Sequence, residues 1–167
     1  MKTIYFAGGC FWGMEHLMSL VPGVADAQSG YANGHADHPD YRQVCGGATG
    51  HRETVKVSYD ETAIGLSDLV GLYFSAIDPT VQNRQAHDIG AQYQTGIYWD
   101  NEADGETVRE LAEEERKKHP AFYVELSPLR VFWPAEDYHQ DYLVKNPQGY
   151  CHLGPQDFER ARSLKKK

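Results

Sequence analysis

Near the start of the chain a short apolar run, Thr3-Ile4-Tyr5-Phe6-Ala7, is followed at once by two glycines, Gly8-Gly9. The run is rich in β-branched and aromatic residues and reads as a strand. The paired glycines permit a sharp turn. Beyond them Phe11, Met14, Leu17, Met18 and Val21 recur at helical spacing,. A strand therefore turns directly into an amphipathic helix, and Cys10 falls at the helix N-terminus. Val21-Pro22-Gly23 is a strong stop signal for that helix,.

The same reading continues along the chain. Val24 to Ser29 is expected as a strand, Gly30 to Pro39 as a loop, and Asp40 to Gly47 as a turn-rich passage. Glu53-Thr54-Val55-Lys56-Val57-Ser58-Tyr59 alternates with period two, as a half-buried strand should,. Ser67 is an expected N-cap for a second helix, with Leu69, Val70, Tyr73, Phe74 and Ile77 on one face and Asp78-Pro79 closing it,. After a polar loop, Gln92 to Trp99 reads as a strand. Asp100 or Asn101 then caps a helix running to His119, with acids early and bases late to suit the helix dipole,. Tyr123 to Leu126 suggests one more strand. From about residue 134 the pattern weakens into a long coil, and 155–167 reads as a peripheral tail ending in Lys165-Lys166-Lys167. The order β-α-β-β-α-β, with a helix and a long coiled segment appended, predicts an α+β sandwich of the ferredoxin-like, split-βαβ plait type.

At 167 residues and 41% hydrophobic content the chain fits one domain with its own core, expected to be a monomer,. A net charge of −8 and the lack of a basic stripe argue against nucleic acid as a partner,. No signal peptide, lipidation motif or membrane span is evident, which favours the cytoplasm over a membrane location. Three cysteines do not form a secreted disulfide framework, and in a reducing compartment a disulfide would be transient and catalytic,.

Cys10 has two readings: a small buried hydrophobe, or a thiol activated by the helix terminus. A helix terminus contributes about 0.3–1 kcal/mol, up to about 2, which lowers a thiol by about one pKa unit. Further activation would have to come from the substrate or from neighbouring groups. Cys151 lies in Asn146-Pro147-Gln148-Gly149-Tyr150-Cys151-His152, a Pro- and Gly-containing stretch far from any core pattern. It is either an incidental thiol or a resolving thiol on a mobile arm. Cys45 has a more regular setting and is expected to be inert. His35 and His38 lack acidic or cysteine partners at ligand spacing, so no metal is expected. His51, His87 and His139 are each possible bases for Cys10, which keeps a Cys-His hydrolase open as an alternative. Glu53 opens its strand behind Gly50-His51-Arg52. It is a solvated rim residue unless the fold brings it near Cys10, where burial would make it a proton donor.

Gly9-Cys10-Phe11-Trp12-Gly13 resembles the active-site signature of the A-type peptide methionine sulfoxide reductases (MsrA). Further blocks are similar to that family in order: Tyr41-Arg42-Gln43-Val44-Cys45, Thr49-Gly50-His51-Arg52-Glu53, Asp78-Pro79-Thr80, Asn83-Arg84-Gln85, Asp88-Ile89-Gly90, Gln92-Tyr93, Glu136-Asp137-Tyr138-His139-Gln140 and Asn146 to Cys151. The resemblance implies thiol-dependent reduction of methionine S-sulfoxide, free or in proteins, with no cofactor. It implies that Cys10 attacks the sulfoxide sulfur, Phe11 and Trp12 hold the S-methyl group, and a protonated Glu53 protonates the oxygen. Tyr41 and Tyr93 would donate hydrogen bonds to that oxygen, and Asp88 would hold the polar cluster, through water. Cys10 would be left as a sulfenic acid, condense with Cys151, and be reduced by thioredoxin. No cysteine follows Cys151, so the disulfide passed on would be Cys10–Cys151 itself. Ala86-His87 stands where the family more often has Gly followed by a small or polar residue.

Overall fold

The computed structural model describes residues 1–166. Lys167, the last of the three terminal lysines, lies outside the described residues. The protein is a mixed α+β fold built on a six-stranded mixed sheet. Its strands are β1 (Lys2–Ala7), β2 (Val24–Ala32), β3 (Arg52–Tyr59), β6 (Gly96–Trp99), β7 (Glu125–Pro128) and β8 (Phe132–Pro134), in the order β7-β6-β1-β3-β2-β8. All pairs are antiparallel except β6 with β7. A separate two-stranded hairpin joins β4 (Arg84–Gln85) to β5 (Asp88–Ile89).

The period-two pattern of β1 sorts its side chains onto two faces. Ile4 and Phe6 lie opposite Val57 and Val55 on β3 and Trp99 and Ile97 on β6, all fully buried beneath the helices. Tyr5 and Ala7 point the other way and join Tyr98 and Ala32 in a smaller cluster under Leu129 and Phe132. Helix α1 (Phe11–Ser19) lays Phe11, Met14, Leu17 and Met18 on the main core, and α3 (Leu66–Ala76) adds Leu69, Val70 and Tyr73. Each such fully buried side chain contributes about 1.5–3 kcal/mol. The third long helix, α4 (Glu102–Arg116), is capped by Asn101, whose side chain accepts from the Asp104 N–H.

Four segments differ most from the sequence expectation, and the expected second helix, α3, is capped at Gly65 and not at Ser67. The passage 40–47 contains a short helix, α2 (Tyr41–Cys45), because Asp40 and Gln43 form a reciprocal capping box of 2.8 and 2.9 Å. Residues 91–93 form a 3₁₀ turn rather than the start of a strand. The Gln94 side chain holds the Asn83 N–H at 2.7 Å and the Tyr123 carbonyl at 2.6 Å, tying the chain to two loops. The expected C-terminal coil is largely ordered, with β8, a 3₁₀ turn at Asp137–His139, and α5 (Tyr142–Lys145). The segment from 155 is not a peripheral tail through its first half: α6 (Pro155–Arg162) buries Ala161 and sets Phe158 edge-on to His16 of α1 at 4.8 Å. Too few apolar residues recur there for periodicity to reveal it. No helix among the described residues is long and apolar enough to cross a membrane.

Candidate active site

Cys10 occupies the N-cap of α1, with φ −59° and ψ 126°, and is only 7% exposed. Gly9 before it has φ +82°, and a Cβ there would stand 2.7 Å from the Gln85 Cβ, so both conformation and space require glycine,. The thiol does not gain from its position as the helix terminus alone predicts. Burial pushes Cys10 well above the ordinary thiol range, the Glu53 charge adds to this, and the Trp12 backbone N–H opposes it. Desolvation outweighs the helix, because the N-terminus offers at most about 2 kcal/mol. Cys10 rests as a thiol.

Glu53, at the second residue of β3, reaches across to α1. The Phe11 N–H donates to its Oε1 at 3.2 Å, and Oε2 is buried with no hydrogen-bond partner. The residue is 1% exposed. Burial pushes its carboxyl up to about 8, with the Phe11 N–H opposing and the Asp88 charge assisting. At neutral pH the group is a protonated acid with one free oxygen.

Tyr41 opens α2 and Tyr93 closes the 3₁₀ turn, so the two phenols arrive from opposite sides of β3 in the chain. Burial holds both phenols above their ordinary range, with the Glu53 charge second for each. They remain hydrogen-bond donors at any ordinary pH. The Tyr41 N–H is fixed by Glu136 Oε2 at 3.0 Å. Asp88 stands on β5, where its Oδ2 accepts from the Tyr150 hydroxyl at 2.8 Å. Its charge acts on Cys10, Glu53, Tyr93 and Cys151, which places it within the same cluster. The hairpin carrying it is locked by Gln85, whose amide donates to the Asp78 carbonyl at 2.7 Å and accepts from the Asp78 N–H at 2.9 Å. Ala86 turns the hairpin with φ +51°. That is a position for glycine in a two-residue turn, which explains physically why the resemblance has glycine there.

Phe11 is buried, 5.7 Å from Tyr31, 6.4 Å from Tyr41 and 5.1 Å from His139 between ring centroids. Trp12 is half-buried, stacked on Tyr142 at 3.7 Å and 9°, and its indole N–H donates to His139 Nδ1 at 3.0 Å. His139 is neutral in this arrangement, since accepting at Nδ1 requires an unprotonated nitrogen there. Burial also keeps its pKa below the ordinary histidine range. Its Nε2 is buried without a partner.

Cys151 is half-buried, and a Cβ on Gly13 would stand 3.0 Å from its Sγ, so the second thiol lies against the first turn of the Cys10 helix. All three cysteines are free. Cys45 is exposed on α2 beside the Tyr41 side chain. None of the three candidate bases of a hydrolase hydrogen-bonds Cys10. His51 is held between the Gly34 N–H at 3.0 Å and the Ala36 carbonyl at 2.7 Å, His87 sits in the hairpin turn, and His139 takes the Trp12 indole. No group of three or more His, Cys, Asp or Glu among the described residues is arranged to hold a metal ion.

Sequence reading missed the parts that hold these groups. Glu136 joins Tyr31, Tyr41 and Tyr138. Glu15 is buried on α1 and accepts from the Asp141 N–H at 2.6 Å and the Ser29 hydroxyl at 2.9 Å. An acid on the apolar side of α1 was the available signal for Glu15.

A reductive thiol centre has a buried cysteine, an adjacent neutral acid, phenolic donors and a second thiol in reach, and this site has each of these. The family model for peptide methionine sulfoxide reductase matches residues 2–167. A peptide methionine sulfoxide reductase MsrA of Alkaliphilus metalliredigens is 50% identical over 154 residues, covering 92% of this chain and 98% of the relative. The reduced form of Mxr1 from Saccharomyces cerevisiae superposes with a TM-score of 0.87 at 38% identity, covering 92% of this chain and 91% of that one. Mxr1 in complex with Trx2 matches with a TM-score of 0.61 at 25% identity, with 84% of each chain covered. The chain belongs to the peptide methionine sulfoxide reductase family.

Proposed function

We propose that this protein reduces methionine S-sulfoxide, free or in proteins, to methionine, and that thioredoxin restores the enzyme. The observation that carries this reading is Glu53: a carboxyl neutral at physiological pH, with one oxygen tied to the first turn of the Cys10 helix and the other buried and unpartnered. A sulfoxide oxygen is a strong acceptor with nothing to donate, so it complements a protonated acid flanked by two phenols.

The step balances within the site. Glu53 gives its proton to the sulfoxide oxygen while the Cys10 sulfur bonds to the now electrophilic sulfoxide sulfur, and the thiol proton of Cys10 restores Glu53. The substrate S–O bond and the transient Cys10–sulfur bond then break as the hydroxyl passes to Cys10, so methionine departs with its sulfur reduced and Cys10 is left as a sulfenic acid. Tyr41 and Tyr93 hydrogen-bond the oxygen as charge builds on it. Phe11 and Trp12 receive the S-methyl group, with His139 fixing the indole through its N–H. Asp88 holds the polar rim through Tyr150. Cys151 then condenses with the sulfenic acid, releasing water, and the Cys10–Cys151 disulfide accepts two electrons from thioredoxin. The likeness to Mxr1 in complex with Trx2 supports that partner.

The strand order β6-β1-β3-β2, antiparallel throughout, with α1 and α3 as the crossovers, supports reading this core as a split-βαβ plait within a single catalytic domain,. Reduced enzyme mixed with methionine sulfoxide and no reductant tests the chemistry. The expected yield is about one methionine per enzyme, with loss of the Cys10 and Cys151 thiols and retention of Cys45. Methionine formed without thiol loss would refute it.

A further inference from the structure

We propose that His152 relays the proton in the resolving step, carrying it from the Cys151 thiol to the hydroxyl that leaves Cys10. The inference rests on the sulfenic acid chemistry proposed above. Both ring nitrogens of His152 are buried and neither has a hydrogen-bond partner. An imidazole with two idle nitrogens inside a protein is costly unless something arrives to use them.

The ring packs against Gly9, which is bonded to Cys10, and against Gly13, where Cys151 Sγ also lies. A Cβ on Gly13 would meet Cys151 Sγ at 3.0 Å and His152 Cε1 and Nδ1 at 3.4 and 3.5 Å. A Cβ on Gly9, the residue bonded to Cys10, would meet His152 Nε2 at 3.3 Å. Nδ1 thus faces the side where Cys151 sits and Nε2 faces the turn that presents Cys10. The absence of side chains at Gly9 and Gly13 leaves the room the ring occupies.

Resolution has a proton problem that such a ring solves. The reaction joins Cys10 S–OH and Cys151 S–H into a disulfide and water, so the S–O bond breaks as the S–S bond forms, and the thiol proton must reach the departing oxygen. Burial raises the Cys151 thiol above its ordinary range, with the Leu153 N–H opposing and Asp157 and Asp88 assisting. It is therefore not a ready thiolate, and hydroxide is a poor leaving group unless protonated. A neutral imidazole can accept the proton at one nitrogen and release another from the other, changing tautomer without carrying net charge. Burial holds His152 below the ordinary histidine range and so keeps it neutral, against the charges of Asp88 and Asp157 and the Gly8 backbone, which lies short of hydrogen-bond geometry.

The test is single-turnover kinetics on the reduced full chain with methionine sulfoxide and no reductant. Methionine release and disulfide formation are followed separately, and the sulfenic acid is trapped with a carbon nucleophile. His152→Ala and His152→Asn are expected to release methionine at the wild-type rate, accumulate trappable sulfenic acid, and close the disulfide about 100-fold more slowly. Their disulfide rate should rise about tenfold per pH unit, following the Cys151 thiolate, where the wild-type rate is flat. Added imidazole should restore closure in the alanine variant. Wild-type closure rates in both variants, or equal slowing of methionine release and closure, would overturn the relay while leaving the reductive chemistry intact. A wild-type enzyme that releases no methionine would overturn both.

Discussion

Replacing Glu53 with glutamine should slow the enzyme and stabilise it at the same time. Glutamine keeps the shape and the oxygen that accepts from the Phe11 N–H, but it has no proton to give. Removing a general acid lowers the rate by about 10²–10⁴-fold, and the methionine burst should fall by that order. Stability moves the other way. The Glu53 carboxyl is pushed up from an ordinary value of 4.5 to about 8 by burial. Its stabilising contribution is therefore fully present below the ordinary value and is lost as pH rises through about 8. At pH 7 the unfolded chain carries Glu53 ionised and folding must return a proton to it, which costs about 3 kcal/mol at about 1.36 kcal/mol per pKa unit. Glutamine removes that cost, and a chain of this size gains about 2–4 °C in melting temperature per kcal/mol. The variant should melt of order 10 °C higher at pH 7 and show no advantage at pH 4. In the wild type the burst rate should decline above pH 8, since the acid is about 90% protonated at pH 7 and about 10% at pH 9. Calorimetry across pH, paired with stopped-flow bursts, measures both. A glutamine variant that is slow but no more stable at pH 7 would refute a protonated resting Glu53, and one with a wild-type burst would remove it from the chemistry.

Three further outcomes follow from the contacts. Cys151→Ser should yield the first methionine at the wild-type rate but fail to turn over with thioredoxin, as read by coupled reductant consumption; sustained turnover would exclude its resolving role. His139→Ala deletes the acceptor of the Trp12 indole N–H, a bond of about 0.5–1.5 kcal/mol. KM for the sulfoxide should rise about two- to tenfold with a smaller change in kcat, and Trp12 fluorescence should shift; unchanged KM would show that the indole is held by Tyr142 alone. Glu15→Ala removes the acceptor of the Asp141 N–H and of the buried Ser29 hydroxyl, a loss of about 1–3 kcal/mol, and should accelerate amide hydrogen exchange from 141 to 154; unchanged exchange would show that the arm is anchored elsewhere.

The strand–turn–helix at Cys10 was legible because two periodicities and a glycine pair meet there, and burial of Ile4, Phe6, Met14 and Leu17 follows the pattern closely. Cys10, Cys151 and, on condition of burial, Glu53 were nameable from local pattern, whereas Phe11, Trp12, Tyr41, Tyr93 and Asp88 took their roles only from the ordered blocks of resemblance. What local pattern misled about was charge. A helix terminus argues for a thiolate, yet Cys10 is only 7% exposed because Glu53, Asp88, Tyr93 and Cys151 arrive around it from distant segments, and spacing carries no trace of that. The supports were harder still. Glu15, Glu136 and Gln85 act through hydrogen bonds to backbone groups scores of residues away or in neighbouring turns. Such bonds depend on tertiary placement, and the same is true of Gln94, beside which the first residues of the expected strand, Gln92 and Tyr93, form a turn instead.

The neutrality of the resting site bears on selectivity. The burial that raises Glu53 also raises Cys10, so the pair sits as carboxyl and thiol, one proton on each. A thiol is a poor target for small oxidants, since the thiolate is the reactive form. A helix terminus worth at most about 2 kcal/mol cannot offset that desolvation. In the proposed mechanism the sulfoxide changes the balance, because its oxygen would take up the Glu53 proton and leave the thiol proton a vacancy to fill. Nucleophile and acid would thus be activated by the same event, the arrival of a strong acceptor in a dry pocket where hydrogen bonds to developing charge are strongest. An enzyme built with a standing thiolate would gain little in the reductive step and would lose Cys10 to any peroxide that reached it.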